Sequence, residues 1–275
     1  MSPRSGEAIL FRARARCASH ARTTCVAPPK NLERAAARLS HAQPFRSRAE
    51  GERTRGCLEL HAQTTVLRMG DLGSTRYLPI AYLPGASGRA LSWEPIAAVL
   101  SYRREPHLFD YPGLGEHAPV PGIADLDDLT RWIAGQLPAV CDIVTLSMGS
   151  ALGLRLALDY PERVRRLVLV TPCGGFDAQR FSALDWREVF VEQRPEAPRW
   201  FVDDTRDLTA QLGSVSAATL VVMGDEDPIA PPAIGELLLQ RLPAAKLEIV
   251  QNAGHDLEEE HPAFLASLIE AHLRR

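Results

Sequence analysis

The chain has 275 residues, 45% of them hydrophobic and 24% charged, with a formal net charge of -3; this supplies enough apolar sequence for a full core and excludes a collagenous, low-complexity or wholly disordered protein. No stretch approaches the roughly 18–20 consecutive apolar residues of a membrane span, and the apolar run near the start, Ala8 to Phe11, is too short for a secretory signal. Five cysteines, an odd number without paired Cys-x-x-Cys ligands or the regular spacing of a stapled scaffold, fit reduced thiols in a cytoplasmic protein with no structural disulfide and no metal.

The charge is unevenly spread. Before Cys57, twelve Arg and Lys face four acidic residues, so the remainder is clearly acidic. Residues 1–57 carry few large apolar side chains and cannot offset their own ordering entropy. They read as a basic, disordered leader or a mis-called start, with a targeting peptide and a nucleic-acid-binding arm as the sharper alternatives. Met69 is the internal start to suspect, although starting there discards a possible strand over Thr64 to Arg68.

Residues 58–275 read as one α/β domain. From about residue 76, short β-branched apolar runs alternate with longer amphipathic stretches, the pattern of a mainly parallel sheet covered by helices. Strands are predicted at Leu78 to Leu83, His107 to Asp110, Asp142 to Leu146, Arg166 to Val170, Thr219 to Met223 and Lys246 to Val250. Helices are predicted at Ala90 to Leu100, Leu126 to Leu137, Met148 to Asp159, Ala233 to Arg241 and Glu260 to Leu273. One connection breaks the rhythm: about 173–216 has no strand pattern but carries Phe181, Trp186, Phe190, Trp200 and Phe201, and reads as a small helical cap.

Three stretches carry chemistry. Val144-Thr145-Leu146-Ser147-Met148-Gly149-Ser150 is an apolar strand that ends in a serine and passes straight into a helical pattern. A serine on so sharp a turn projects its hydroxyl above the sheet, while the next helix aims amide N–H groups at the same point. Alone, a Ser-x-Gly there is equally a helix N-cap. Val221 to Pro228 is a strand running into the turn Gly224-Asp225-Glu226-Asp227, at the carboxyl edge where open α/β sheets build their sites. Val250 to Asp256 then puts His255 in a loop just past the last strand. A serine hydroxyl needs an imidazole to take its proton, and the imidazole needs a carboxylate to fix its tautomer. Ser, Asp and His are all present in that order. Asp225 and Asp256 compete with Asp227 for the carboxylate role; the spacing from Gly224 and the following Pro228 favour Asp227.

Over roughly residues 76–273 the sequence resembles the α/β-hydrolase superfamily. The resemblance rests on Leu83-Pro84-Gly85 after the first strong strand, Asp110-Tyr111-Pro112-Gly113-Leu114-Gly115 after the next, the Ser147 elbow, Gly224-x-x-Asp227-Pro228 and Gly254-His255. It implies a mostly parallel eight-stranded α/β-hydrolase sheet flanked by helices, a small cap inserted after the sixth strand, and no cofactor. It further implies Ser147 as nucleophile, His255 as general base and then acid, Asp227 as the orienting carboxylate, and the backbone N–H groups of Ala86 and Met148 as an oxyanion hole. Two positions depart from the family pattern: Thr145 stands where glycine is usual, and Pro84-Gly85 where His-Gly is frequent.

The expected activity is hydrolysis of a small-molecule carboxylic ester or related acyl bond through an acyl-Ser147 intermediate. The same triad also serves hydrolysis or lysis of a carbon–carbon bond, and the fold alone can serve as a non-catalytic binder. Trp186, Phe190 and Trp200 are candidate substrate contacts, with packing of the cap onto the body as the equal alternative. Cys173 reads as a small buried thiol near the cap entrance, and His107 and His117 as ordinary loop histidines. The acidic body speaks against nucleic acid as a partner, and no membrane association is expected.

Overall fold

The computed structural model describes residues 78–100, 106–115 and 117–274. The leader of residues 1–57, the strand expected over Thr64 to Arg68 and the candidate start at Met69 lie outside them.

Six strands form one sheet: β1 (Ile80–Leu83), β2 (His107–Leu108), β3 (Cys141–Leu146), β4 (Val164–Val170), β5 (Ala218–Gly224) and β6 (Ala245–Val250). Their order is β2-β1-β3-β4-β5-β6, and every pairing is parallel. The eight strands implied by the resemblance are therefore six among the described residues. Each strand expected from residue 78 onward is present, with ends shifted by at most about two residues, the usual fraying of such boundaries.

Both faces of the sheet are covered, so the strands read as near-continuous apolar runs. The period-two alternation still assigns each side chain to a face. Ala81, Leu83, Ile143, Leu167, Leu169, Val221 and Met223 pack with α2 (Leu126–Gln136), α3 (Gly149–Asp159) and α6 (Pro232–Arg241). Tyr82, Val144, Leu146, Val168, Val170, Leu220 and Val222 pack with α1 (Glu94–Val99), α7 (Leu257–Glu260) and α8 (Pro262–Leu273). Between β4 and β5 lie only short helical elements, among them α4 (Arg187–Gln193) and α5 (Arg199–Asp203). No helix among the described residues is long and apolar enough to cross a membrane.

The strand order reverses between β1 and β3, which are direct neighbours with Leu83 opposite Thr145. A cleft opens at such a switch point on the carboxyl edge. The loops leaving β1, β3, β4, β5 and β6 all emerge along that edge, and they carry the candidate residues.

Candidate active site

Ser147 follows β3 directly and holds a left-handed backbone conformation, φ 50°, which is sparsely populated for a residue with a side chain. The surrounding structure holds it there. Its N–H donates to Val170 O at 2.8 Å, its carbonyl accepts from Ser150 N at 3.0 Å, and Ser150 Oγ donates to the same carbonyl at 2.6 Å. The turn brings α3 so close to the end of β1 that a Cβ on Gly149 would lie 2.3 Å from Pro84 O.

His255 lies in the loop after β6, and Asp227 in the turn after β5. Two main-chain bonds tie these loops, Asp225 N to Val250 O at 3.1 Å and Glu226 N to Ala253 O at 2.9 Å. His255 Nδ1 is 2.8 Å from Asp227 Oδ2, and His255 Nε2 is 2.8 Å from Ser147 Oγ. The other Asp227 oxygen accepts from the N–H groups of Ile229 and Ala230 at 2.8 and 2.9 Å, so the buried carboxylate is fixed in direction. Of the three aspartates that compete on sequence grounds, Asp227 is the one hydrogen-bonded to the imidazole. Asp225 instead accepts from Ala253 N, in the neighbouring loop after β6, at 3.3 Å, and Asp256 caps the start of α7.

Burial pulls the His255 imidazole towards neutrality, but the adjacent Asp227 carboxylate, by charge and by hydrogen bond, outweighs it. With Asp256 and Glu258 acting in the same sense, the pKa is pushed up to about 9. Glu258 is buried with Oε2 lacking a hydrogen-bond partner, and burial raises its carboxyl to about 8.

The loop after β1 adjoins the serine. A Cβ on Gly85 would lie 3.2 Å from Ser147 Cβ and 3.7 Å from its Oγ. Tyr111, buried in the turn after β2, donates its hydroxyl to Pro84 O at 2.9 Å, and Trp93 donates its indole N–H to Leu83 O at 3.1 Å. The N–H groups of Ala86 and Met148 find no acceptor among the described residues. Two unengaged donors beside a serine hydroxyl suit an anionic oxygen. Neither Tyr111 nor Trp93 was legible as a support of this loop, because the contacts depend on tertiary proximity rather than on a motif.

The structure also brings Cys173, in the loop after β4, to the serine: Cys173 Sγ lies 3.2 Å from Ser147 Oγ. The aromatics between β4 and β5 stack on one another. Phe190 is buried, with Trp186 edge-on at 5.5 Å and Phe201 at 6.5 Å, and Trp200 packs on Phe201 at 6.0 Å. Trp186 and Trp200 are partly exposed, and the Arg187 guanidinium lies over the Trp186 ring at 5.3 Å. His117 pairs with Asp110 at 3.2 Å, and Asp110 also accepts from Ala90 N, so the turn after β2 is braced from both sides. Among the described residues no three His, Cys, Asp or Glu side chains are grouped to hold a metal ion.

A model described as the alpha/beta hydrolase family matches residues 80–268. A pimeloyl-[acyl-carrier protein] methyl ester esterase of Nitrosomonas europaea is 28% identical over 211 residues, 59% of this chain and 82% of that protein. A 2-hydroxy-6-oxononadienedioate/2-hydroxy-6-oxononatrienedioate hydrolase of Klebsiella pneumoniae is 26% identical over 232 residues, 65% of this chain and 79% of that protein. Among solved structures, a thermophilic esterase from Thermogutta terrifontis superposes with a TM-score of 0.60 at 23% identity, covering 72% of this chain and 89% of the other. The family match spans every described strand, from β1 through β6, and all the loops that meet at Ser147, so the chain belongs to the alpha/beta hydrolase family.

Proposed function

We propose that this protein is a serine hydrolase that cleaves a small-molecule carboxylic ester, or a related acyl bond, through an acyl-Ser147 intermediate. The observation that carries the proposal is the continuous relay from Asp227 Oδ2 through both ring nitrogens of His255 to Ser147 Oγ, with both contacts at 2.8 Å. In the neutral imidazole, Nδ1–H donates to Asp227 and Nε2 accepts the Ser147 proton as Oγ attacks the carbonyl carbon. The developing oxyanion is received by the N–H groups of Ala86 and Met148. The imidazolium then protonates the departing alcohol. Water, deprotonated by His255, attacks the acyl carbon and releases the acid and Ser147.

The relatives support an ester. Several are named as methyl ester esterases, which makes a small alcohol the leaving group of first choice. We read the segment between β4 and β5 as a cap over this edge, with Trp186 and Trp200 as its candidate substrate contacts and Phe190 as part of its packing. A second reading, hydrolysis of a carbon–carbon bond with the same three residues, is favoured by relatives named 2-hydroxymuconate semialdehyde hydrolase and 2-hydroxy-6-oxononadienedioate hydrolase.

The test is turnover of methyl and p-nitrophenyl esters of increasing acyl length by the full chain and by Ser147→Ala, alongside a vinylogous ring-fission 1,5-diketone. Ester turnover abolished by the substitution supports the first reading, and the length profile sizes the pocket. Turnover of the diketone alone moves the assignment to the second. A folded wild type inert towards both sinks the catalytic assignment.

A further inference from the structure

The nucleophile has two side-chain neighbours, and the relay accounts for only one. Cys173 Sγ lies 3.2 Å from Ser147 Oγ on a loop that is bound to the elbow rather than merely near it. Cys173 N donates to Ser147 O at 3.4 Å, and Gly174 N donates to Ser150 Oγ at 3.4 Å. Gly174 sits so close to α3 that a Cβ there would lie 2.7 Å from Met148 Sδ. Thr171, where the chain leaves β4, holds φ 41°, rare for a β-branched residue, and its N–H is anchored on Val222 O at 2.8 Å. The approach of the thiol to the hydroxyl is therefore held from both flanks.

Proton counting sets what the thiol does. Ser147 has one proton and His255 Nε2 is its acceptor when Nδ1–H donates to Asp227. With that proton engaged, the contact at 3.2 Å is completed only if Cys173 S–H donates to Ser147 Oγ. Burial, opposed in part by the Ser147 hydrogen bond, pushes the Cys173 thiol up to about 12, so it keeps its proton across the working range. When His255 is an imidazolium, Nε2–H donates to Oγ and the Ser147 proton is free to turn towards Sγ.

We propose that Cys173 is a positioning residue for the nucleophile: its S–H donates to Ser147 Oγ and holds the hydroxyl with its proton directed at His255 Nε2. The proposal rests on the assignment of Ser147 as nucleophile. Cys173 makes no bond to substrate and changes no oxidation state in this role. It removes a rotational choice that the serine otherwise makes at each turnover, an effect on the attack step rather than on binding.

The test compares wild type, Cys173→Ala and Cys173→Ser in ester turnover and in the rate of inactivation by a serine-directed fluorophosphonate, with thermal unfolding of each. Loss of one weak donor predicts that Cys173→Ala lowers kcat and the inactivation rate by about fivefold while KM stays within about twofold. Cys173→Ser, which restores a donor at the same position, recovers most of that loss. The split between kcat and KM, together with recovery by serine, is what a purely packing role does not produce. If Cys173→Ala inactivates as fast as wild type, or if alanine and serine variants lose rate equally while both stay folded, the positioning role is overturned and the nucleophile stands. If either variant does not fold, Cys173→Val, which fills the volume without a donor, replaces alanine; a valine variant at wild-type rate also overturns the role. A folded wild type that the fluorophosphonate does not label removes Ser147 as nucleophile, and the proposal goes with it.

Discussion

Thr145 and Gly153 fit each other across the junction of β3 and α3: a Cβ added to Gly153 would lie 2.5 Å from Thr145 Cγ2. A β-branched side chain at the first position of the elbow, where the family usually has glycine, is thus accommodated by a glycine one helical turn beyond Gly149. Thr145 is further fixed by its hydroxyl, which donates to Val168 O at 3.1 Å. The prediction is a coupled pair. Gly153→Ala alone should destabilise by about 1–3 kcal/mol, because the methyl must displace packed Thr145 and Leu167. In a Thr145→Ala background the same change should be close to neutral or stabilising, since alanine is the better helix former by about 1 kcal/mol. Urea denaturation of the four variants measures the coupling, and strict additivity contradicts the account.

That pair also marks where sequence reading stops. Strand and helix periodicity placed all six described strands: β1 and β3 are buried throughout and β4 and β5 almost so, while the partly exposed edge strands β2 and β6 were still bounded by turn residues. The boundaries that moved did so for local reasons. The helix expected from Glu260 begins at Pro262, set apart from the short α7 by His261, which precedes the proline and leaves the helical region at φ -135°, ψ 49°. The helix expected from Ala90 begins as a 3-10 turn over Ala90–Trp93 and becomes α only at Glu94. Ser147, Asp227 and His255 were legible because each follows an apolar strand in a recognisable turn. Cys173 was visible as a thiol after β4, but its contact with Ser147 depends on the register of β3 against β4, which no single-chain pattern encodes.

Asp227→Asn should lower kcat by roughly 10³–10⁴-fold with the fold intact. The Ile229 and Ala230 N–H groups pin the amide oxygen where Oδ1 now sits, which turns the amide NH2 towards His255 Nδ1. The imidazole must then carry its proton on Nε2 and cannot accept one from Ser147. Asp225→Asn is the control: its oxygen needs only to accept from Ala253 N, which an amide does equally well, so turnover should remain within about twofold. Comparable losses at both positions in steady-state assays contradict the role given to Asp227.

The segment between β4 and β5 is anchored by charge. Arg155 on α3 reaches Asp127 on α2 and Asp204 just after α5, both at 3.4 Å, while Arg206 bridges the same two aspartates. Arg155 is buried and Arg206 is half-exposed, so equal-looking ion pairs should differ in weight. Because Arg206 still pairs both aspartates when Arg155 is removed, Arg155→Ala should destabilise by about 1–3 kcal/mol, mostly through lost buried contacts, and Arg206→Ala by under about 1 kcal/mol. Chemical denaturation that ranks them the other way shows the anchor is not set by burial.

With the His255 pKa pushed up to about 9, the imidazolium predominates at neutral pH and cannot act as base. Under the proposed mechanism kcat/KM should therefore climb tenfold per pH unit and level off only near pH 9. The stability linkage has the opposite sense. A histidine raised from 6.5 stabilises the fold fully below that value, and the contribution is lost as pH rises through about 9. A rate plateau already reached at pH 7 contradicts this assignment.

Glu258 gives the last prediction, and it separates two effects of one carboxyl. Burial raises it from 4.5 to about 8, so the folded state binds its proton more tightly than the unfolded chain does. Stability is unaffected by the group below about pH 4.5, falls as pH rises through the interval, and stays reduced above about 8, where a carboxylate must be held with Oε2 unpartnered. Glu258→Gln keeps the shape and cannot ionise. It should raise Tm at pH 9 by roughly 3–6 °C, the effect of ~1–2 kcal/mol on a domain of this size, with the gain vanishing towards pH 4.5. Above about pH 8, where the carboxyl is ionised, the same substitution removes one of the negative charges that raise the His255 pKa, so the plateau of kcat/KM should be reached at lower pH. A thermal gain independent of pH would point to better packing instead, and an unmoved rate profile would mean that Glu258 does not act on the imidazole.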